Sequence, residues 1–135
     1  MRALLLLALA AALVVCGSGS AAETAGTTSL TVTYWPSGKG AGGKKTWTVA
    51  CAPARGTLAR PAVACRKLKA GGAKLFAPTP PSAVCTQIYG GDQVARVVGT
   101  VKGRRVSTGL SRMNGCEISR WDRLSPWLIP RGGVS

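Results

Sequence analysis

The sequence predicts an α+β fold: an antiparallel sheet of about five strands, one or two short helices and two disulfides. Three observations carry this reading. Runs of β-branched and aromatic residues alternate with polar ones at several places, the pattern of strands with one buried face. Helical patterning is confined to short stretches, and no strand–helix–strand repeat builds a parallel sheet. Five cysteines stand in 135 residues, and a domain this small gains from covalent staples because its core is modest.

The chain begins Met1-Arg2 and continues from Ala3 to Val15 without a polar residue. A basic start and a short apolar block read as a secretory signal, since spanning a bilayer takes about 20 apolar residues. Cys16 closes the block in Leu13-Val14-Val15-Cys16-Gly17, which resembles a bacterial lipobox with Val15 in the place of the usual small residue. Ser20-Ala21-Ala22 offers a conventional cleavage site ahead of Glu23. Residues 1–22 are therefore expected to be a signal peptide, processed either before Cys16, with lipid on that cysteine, or before Glu23, with Cys16 discarded. The protein is expected to be secreted, and membrane-anchored in the lipidated case. Residues 23–28 are polar and expected to be flexible, and residues 29–130 form the domain.

Within the domain, Ser29–Trp35 (SLTVTYW) alternates as a strand, and Pro36–Gly43 is a glycine-rich loop. Thr46–Cys51 sets Trp47 and Val49 against threonines in a second strand. Pro61–Ala70 carries the best helix signals: Pro61 in the first turn, Lys67 and Lys69 near the end, Gly71-Gly72 as the stop. Helical spacing puts Ala62, Cys65, Leu68 and Lys69 on one face, with Cys65 inward. Pro78–Pro81 (PTPP) breaks regular structure. Gln93–Lys102 and Arg104–Leu110 form a hairpin about Lys102-Gly103. Glu117–Leu124 is a short helix, and Trp127-Leu128-Ile129 a closing strand.

The composition excludes more than it includes. The chain has no histidine, the base a serine or cysteine nucleophile usually needs. Its only acids are Glu23, Asp92, Glu117 and Asp122, and nothing pairs them as a hydrolytic carboxylate couple. Gly38–Gly43 lacks the spacing of a phosphate loop. A structural zinc site is the rival to disulfides for the four domain cysteines, but they have no C-x-x-C spacing and the chain has no histidine to help. No enzyme, cofactor or metal is expected. The formal net charge is +14 and the pI about 10.7, with basic residues scattered through Lys44-Lys45, Arg66-Lys67, Lys69, Lys102 and Arg104-Arg105. Tyr34, Trp35 and Trp47 sit in strand-like stretches, where packing is their commoner role. The charge thus points to solubility and loose attraction to acidic polymers, such as wall polymers, and to no specific nucleic acid.

Cys51, Cys65, Cys85 and Cys116 allow three pairings once Cys16 is set aside. Val84-Cys85-Thr86-Gln87-Ile88-Tyr89-Gly90-Gly91 places an extended run directly on a cysteine, after prolines and before paired glycines. By pattern alone it is an edge strand or a loop held rigid for a partner.

Five stretches in order carry a resemblance: TWTVACAPARGT, AVACRKL, VCTQIYG, GTVKGRRVS and MNGCE. With cysteine separations of 14, 20 and 31 positions, and with the motifs G-x-x-x-G-R-R-V and N-x-C, the chain resembles the subtilisin inhibitor-like family from about Leu30 to Leu128. These are small secreted bacterial proteins that inhibit serine proteases. The resemblance implies disulfides Cys51–Cys65 and Cys85–Cys116. It implies a scissile bond between Gln87 and Ile88, with Val84, Cys85 and Thr86 in the preceding subsites and Tyr89 following. Asn114 matches the asparagine whose side chain supports the loop from behind. The implied partner is an extracellular protease, and family members dimerise through their sheets. Gln87 carries no cation for a trypsin-like pocket, whose buried carboxylate would go unpaired, and apolar Val84 suits a hydrophobic fourth subsite, so the expected target is subtilisin-like. Gly90-Gly91 stands where the family has Asp-Pro, which predicts a less rigid loop exit. The alternative is a non-inhibitory cationic envelope protein on the same scaffold that binds acidic surface polymers.

Overall fold

The alternation of SLTVTYW puts Leu30, Val32 and Tyr34 on one face of β1 (Ser29–Trp35). In the computed structural model, which describes residues 26–134, all three are buried. β1 pairs antiparallel with β2 (Lys45–Ala50) on one side and β3 (Val94–Val101) on the other, and β4 (Arg104–Leu110) completes the order β2-β1-β3-β4. Register aligns the buried faces. Leu30 lies opposite Val49, Val32 opposite Val97, Tyr34 opposite Ala95, and Ala95 opposite Leu110. The β3–β4 hairpin turns on two residues, Lys102 (φ 51°) and Gly103 (φ 78°), both left-handed as the favoured two-residue turn requires.

Two helices cover the apolar face. α1 (Pro61–Gly71) packs on β2 and buries Ala64 and Leu68, while a following 3₁₀ turn, Gly72–Phe76, buries Phe76. The buried stripe of α1 is one position away from the expected one: Ala62 and Lys69 are exposed, and Cys65 is half-buried at the flank where it bonds Cys51. The i, i+4 pair Ala64 and Leu68 takes the inward face instead. α2 (Gly115–Leu124) buries Trp121 and Leu124. The Trp121 ring lies 6.2 Å from that of Tyr34, which in turn is 6.0 Å from Trp47, so α2 sits on the same face of the sheet.

The fold class stands as expected, α+β with an antiparallel sheet, short helices and two disulfides, but the sheet has four strands. Trp127–Ile129 is a turn after α2: the Leu128 and Ile129 N–H groups both donate to Leu124 O, at 2.9 and 3.3 Å. All three residues are buried, whereas a strand with one wet face would bury alternate ones. Trp47 Nε1 donates to Leu128 O at 2.9 Å, locking this turn to β2. Of the segment expected to be flexible, Gly26–Thr28 is tied to the sheet: Thr27 O accepts from Gly103 N, Thr28 O from Cys51 N, and Thr28 Oγ1 from Lys102 N. Cys16 and the rest of residues 1–25 lie outside the described residues.

The two ends of the sheet lie far apart. β3 runs from the Asp92 side to the Lys102 turn, and its 8 residues at about 3.3 Å each separate these ends by about 26 Å.

Candidate functional site

From Ala77 to Gly91 the chain carries neither helix nor strand, a length that needs outside support to hold one shape. The support comes from α2 and the residues leading into it. Arg120 Nε donates to Ala77 O at 3.0 Å, and Thr79 Oγ1 donates to Glu117 Oε1 at 3.0 Å. Cys85 is bonded to Cys116. Gly115 N donates to Thr86 O at 2.9 Å. Gly90 N donates to Arg112 O at 2.7 Å, and Arg112 Nε returns a bond to Gly90 O at 3.0 Å. Ascending the loop, each anchor descends the other segment, so the two segments are fastened antiparallel.

Two buried arginines hold the fastener in place. Arg120 also donates to Gly109 O at 3.2 Å, Thr108 Oγ1 at 2.7 Å and Glu117 Oε2 at 2.9 Å, joining β4, α2 and the loop's upstream leg. Arg112 pairs with Asp122 at 3.3 Å and lies 5.8 Å over the Trp121 ring. Guanidinium groups suit this task because their donors form a planar fork that satisfies several acceptors at once.

The glycines at the loop's base are places of close approach. A Cβ on Gly115 would stand 2.0 Å from Thr86 Oγ1, and one on Gly90 would stand 2.8 Å from Ile118 Cδ1. Gly91 is buried at φ 125°, and Gln93 beside it donates through Nε2 to Gly133 O at 2.7 Å. The exit expected to be loose is therefore gripped through the backbone of Gly90, because the missing side chain lets the loop seat against Arg112 and Ile118.

Between these anchors the loop stands in solvent. Val84 is 98% exposed, Ile88 61% and Tyr89 52%, while Thr86 and Gln87 are exposed and Cys85 is half-buried. Among the described residues nothing hydrogen bonds to Gln87 or Ile88. Tyr89 donates its hydroxyl to Asp92 Oδ1, fixing that ring beside the exit. Met113, 68% exposed, lies in the chain between the residues that hold Gly90 and Thr86, so it joins Val84, Ile88 and Tyr89 as a large apolar group facing water.

Asn114 does something other than what the resemblance implies. Its Oδ1 accepts from Glu117 N at 3.0 Å, which makes it the N-cap of α2, and among the described residues no hydrogen bond joins its side chain to Val84–Tyr89. It acts one step away, setting the helix start whose first N–H, on Gly115, grips Thr86. Arg112, Gly115 and Arg120 hold the loop directly, and the sequence reading passed over all three. The Glu117/Arg120 spacing of three, a helical ion-pair signal, was available for one of them.

The carboxylates here are structural. Asp92 is engaged by Tyr89, Glu117 by Arg120 and Thr79, and Asp122 by Arg112. Among the described residues no group of His, Cys, Asp and Glu is disposed to hold a metal.

A family model described as subtilisin inhibitor-like matches residues 19–112, which include the exposed loop and all four strands of the sheet. The chain belongs to the subtilisin inhibitor-like family. Subtilisin inhibitor-like proteins inhibit serine proteases rather than catalysing a reaction, and they are typically secreted. This inhibitor-family chain is similar to Streptomyces caespitosus sermetstatin, in its crystal structure with Bacillus licheniformis subtilisin, at 28% identity over 77% of this chain and 98% of that one, with a TM-score of 0.49. No curated protein matches it.

Proposed function

We propose that Val84–Tyr89 is a substrate-like reactive loop, with Gln87–Ile88 as the scissile bond, and that it blocks a subtilisin-type serine protease. The observation that carries this is the combination of exposure and constraint: the segment stands free while its two ends are fastened at Cys85, Thr86 and Gly90. A protease grips its substrate along the main chain, so an unpaired backbone between fixed ends is ready to be gripped. A loop that is already ordered loses little entropy on docking, and its contacts appear as affinity. If the protease serine attacks the Gln87 carbonyl, the released Ile88 amine stays tethered through Gly90 to Arg112. The acyl group stays tethered through Thr86 and Cys85. The amine can then re-attack the acyl-enzyme and reform the peptide, so turnover stalls.

Gln87 would occupy the primary pocket and Val84 the apolar fourth subsite. Neither offers the cation a trypsin-like pocket requires. The Met1–Ala22 leader supports export, with Cys16 as the point of lipid attachment if processing occurs before it. Palmitate labelling that disappears in Cys16→Ser tests the anchor.

The decisive experiment titrates subtilisin with the purified protein. One-to-one loss of activity is expected, abolished by Gln87→Pro. Steady digestion of the protein with no loss of protease activity would sink the reading.

A further inference from the structure

The basic residues are not as scattered in space as they are in sequence. Arg66 and Lys69 from α1 and Lys102 from the β3–β4 turn line one cleft of about 660 Å³ beside the Cys51–Cys65 disulfide. Lys74, Lys102 and Arg104 line a neighbouring one of about 550 Å³. These five cations come from three elements and converge on the end of the sheet away from Val84–Tyr89. Lys102 has a structural reason to be there, since its ammonium donates to Lys69 O near the C-terminal end of α1 at 3.3 Å. Among the described residues the side chains of Arg66, Lys69, Lys74 and Arg104 have no hydrogen-bond or ion-pair partner, and the three described carboxylates, Asp92, Glu117 and Asp122, lie on α2 or at the loop's exit. Among the described residues these like charges gather without a counter-charge, and an external anion would offset their mutual repulsion.

Gly26, the first described residue, is packed on Lys102 and Gly103, so the described chain begins at the basic end, and Cys16 stands 10 positions earlier in the sequence. We propose that this end is a docking surface for an anionic phospholipid membrane, which leaves the loop about 26 Å farther out and free. Positive groups brought close to an anionic bilayer each raise binding by about fivefold, and they act whether or not an acyl chain is present.

The test uses protein purified from a secreting host as the Cys16→Ser variant, so that no acyl chain contributes. Sedimentation with vesicles of phosphatidylcholine containing about 30% phosphatidylglycerol is expected to capture it, and added salt to release it. Pure phosphatidylcholine vesicles are expected to leave it in solution. Neutralising Arg66, Lys69 and Arg104 to Gln, with Lys102 kept, is expected to weaken binding roughly a hundredfold. The same charge change made at the other end, with Lys39, Lys44 and Lys45 all changed to Gln, is expected to leave most of it. Equal losses in the two triple variants would mean bulk charge rather than a surface and would overturn the proposal. So would equal capture by neutral vesicles, or binding to a soluble acidic polymer with none to vesicles. An unchanged circular dichroism spectrum in both variants ensures that the comparison reads charge placement.

Discussion

The two disulfides allow loop constraint to be separated from global stability. Cys51–Cys65 spans 14 positions and Cys85–Cys116 spans 31. Chain entropy assigns them about 3.0 and about 3.7 kcal/mol respectively, nearly the same contribution to a domain whose total is about 5–15 kcal/mol. Their places differ: the first ties the end of β2 to α1 at the basic end, and the second holds the exposed loop. Replacing each pair by serines should therefore lower stability by similar amounts in urea unfolding while changing inhibition unequally. Without Cys85–Cys116 the stretch before Thr86 loses its covalent anchor. If two further residues gain backbone freedom, at about 1–2 kcal/mol each, affinity for subtilisin falls by about 30-fold to about 700-fold. Cleavage between Gln87 and Ile88 should then go to completion, visible as two fragments by mass spectrometry. Without Cys51–Cys65, inhibition at 25 °C should stay within about twofold of the parent, since distant sites couple by no more than about 0.5 kcal/mol. Equal loss of inhibition in the two variants would refute the idea that local fastening, rather than overall stability, makes the loop an inhibitor.

Three further outcomes are expected. Gly115→Ala drives a Cβ into Thr86, so inhibition should weaken by about tenfold while unfolding shifts by no more than about 1 kcal/mol, and adding Thr86→Ala should restore part of the loss; unchanged inhibition would show that Thr86 is not held here. Arg120→Ala strands the carbonyls of Ala77 and Gly109 and the Glu117 carboxylate in a largely buried site, at a cost of about 3–5 kcal/mol by chemical denaturation, and a loss under 1 kcal/mol would contradict the network. Burial raises the Tyr34 phenol above its ordinary 10.0, so its contribution is fully present below pH 10 and is lost as pH climbs through the raised value; unfolding midpoints should drop as pH rises past 10, and the drop should shrink in Tyr34→Phe.

Local patterns made much of the fold legible. Period-two runs marked all four strands to within a residue or two, and Pro61 with Gly71-Gly72 bracketed α1, because these signals are carried by neighbours in the chain. The Trp127–Ile129 pattern predicts a strand because three apolar residues look alike in a strand or a buried turn, and only contact with Leu124 and Trp47 separates the two. The rotation of the α1 stripe had the same origin: Ala64 is apolar but small, and which face of a short helix turns inward depends on what it packs against.

By itself the sequence determined the fold class, the family and the absence of a histidine-based catalytic site, all properties of composition, order and spacing. Tertiary structure alone decided how the loop is held. Arg112, Gly115 and Arg120 reach it across separations of 22 to 43 positions, and Asn114 turns its side chain to the helix instead. It also decided that basic residues from α1, the following turn and the β3–β4 hairpin share one end of the molecule. Contacts between distant segments depend on how the elements pack, and no window of neighbouring residues records that.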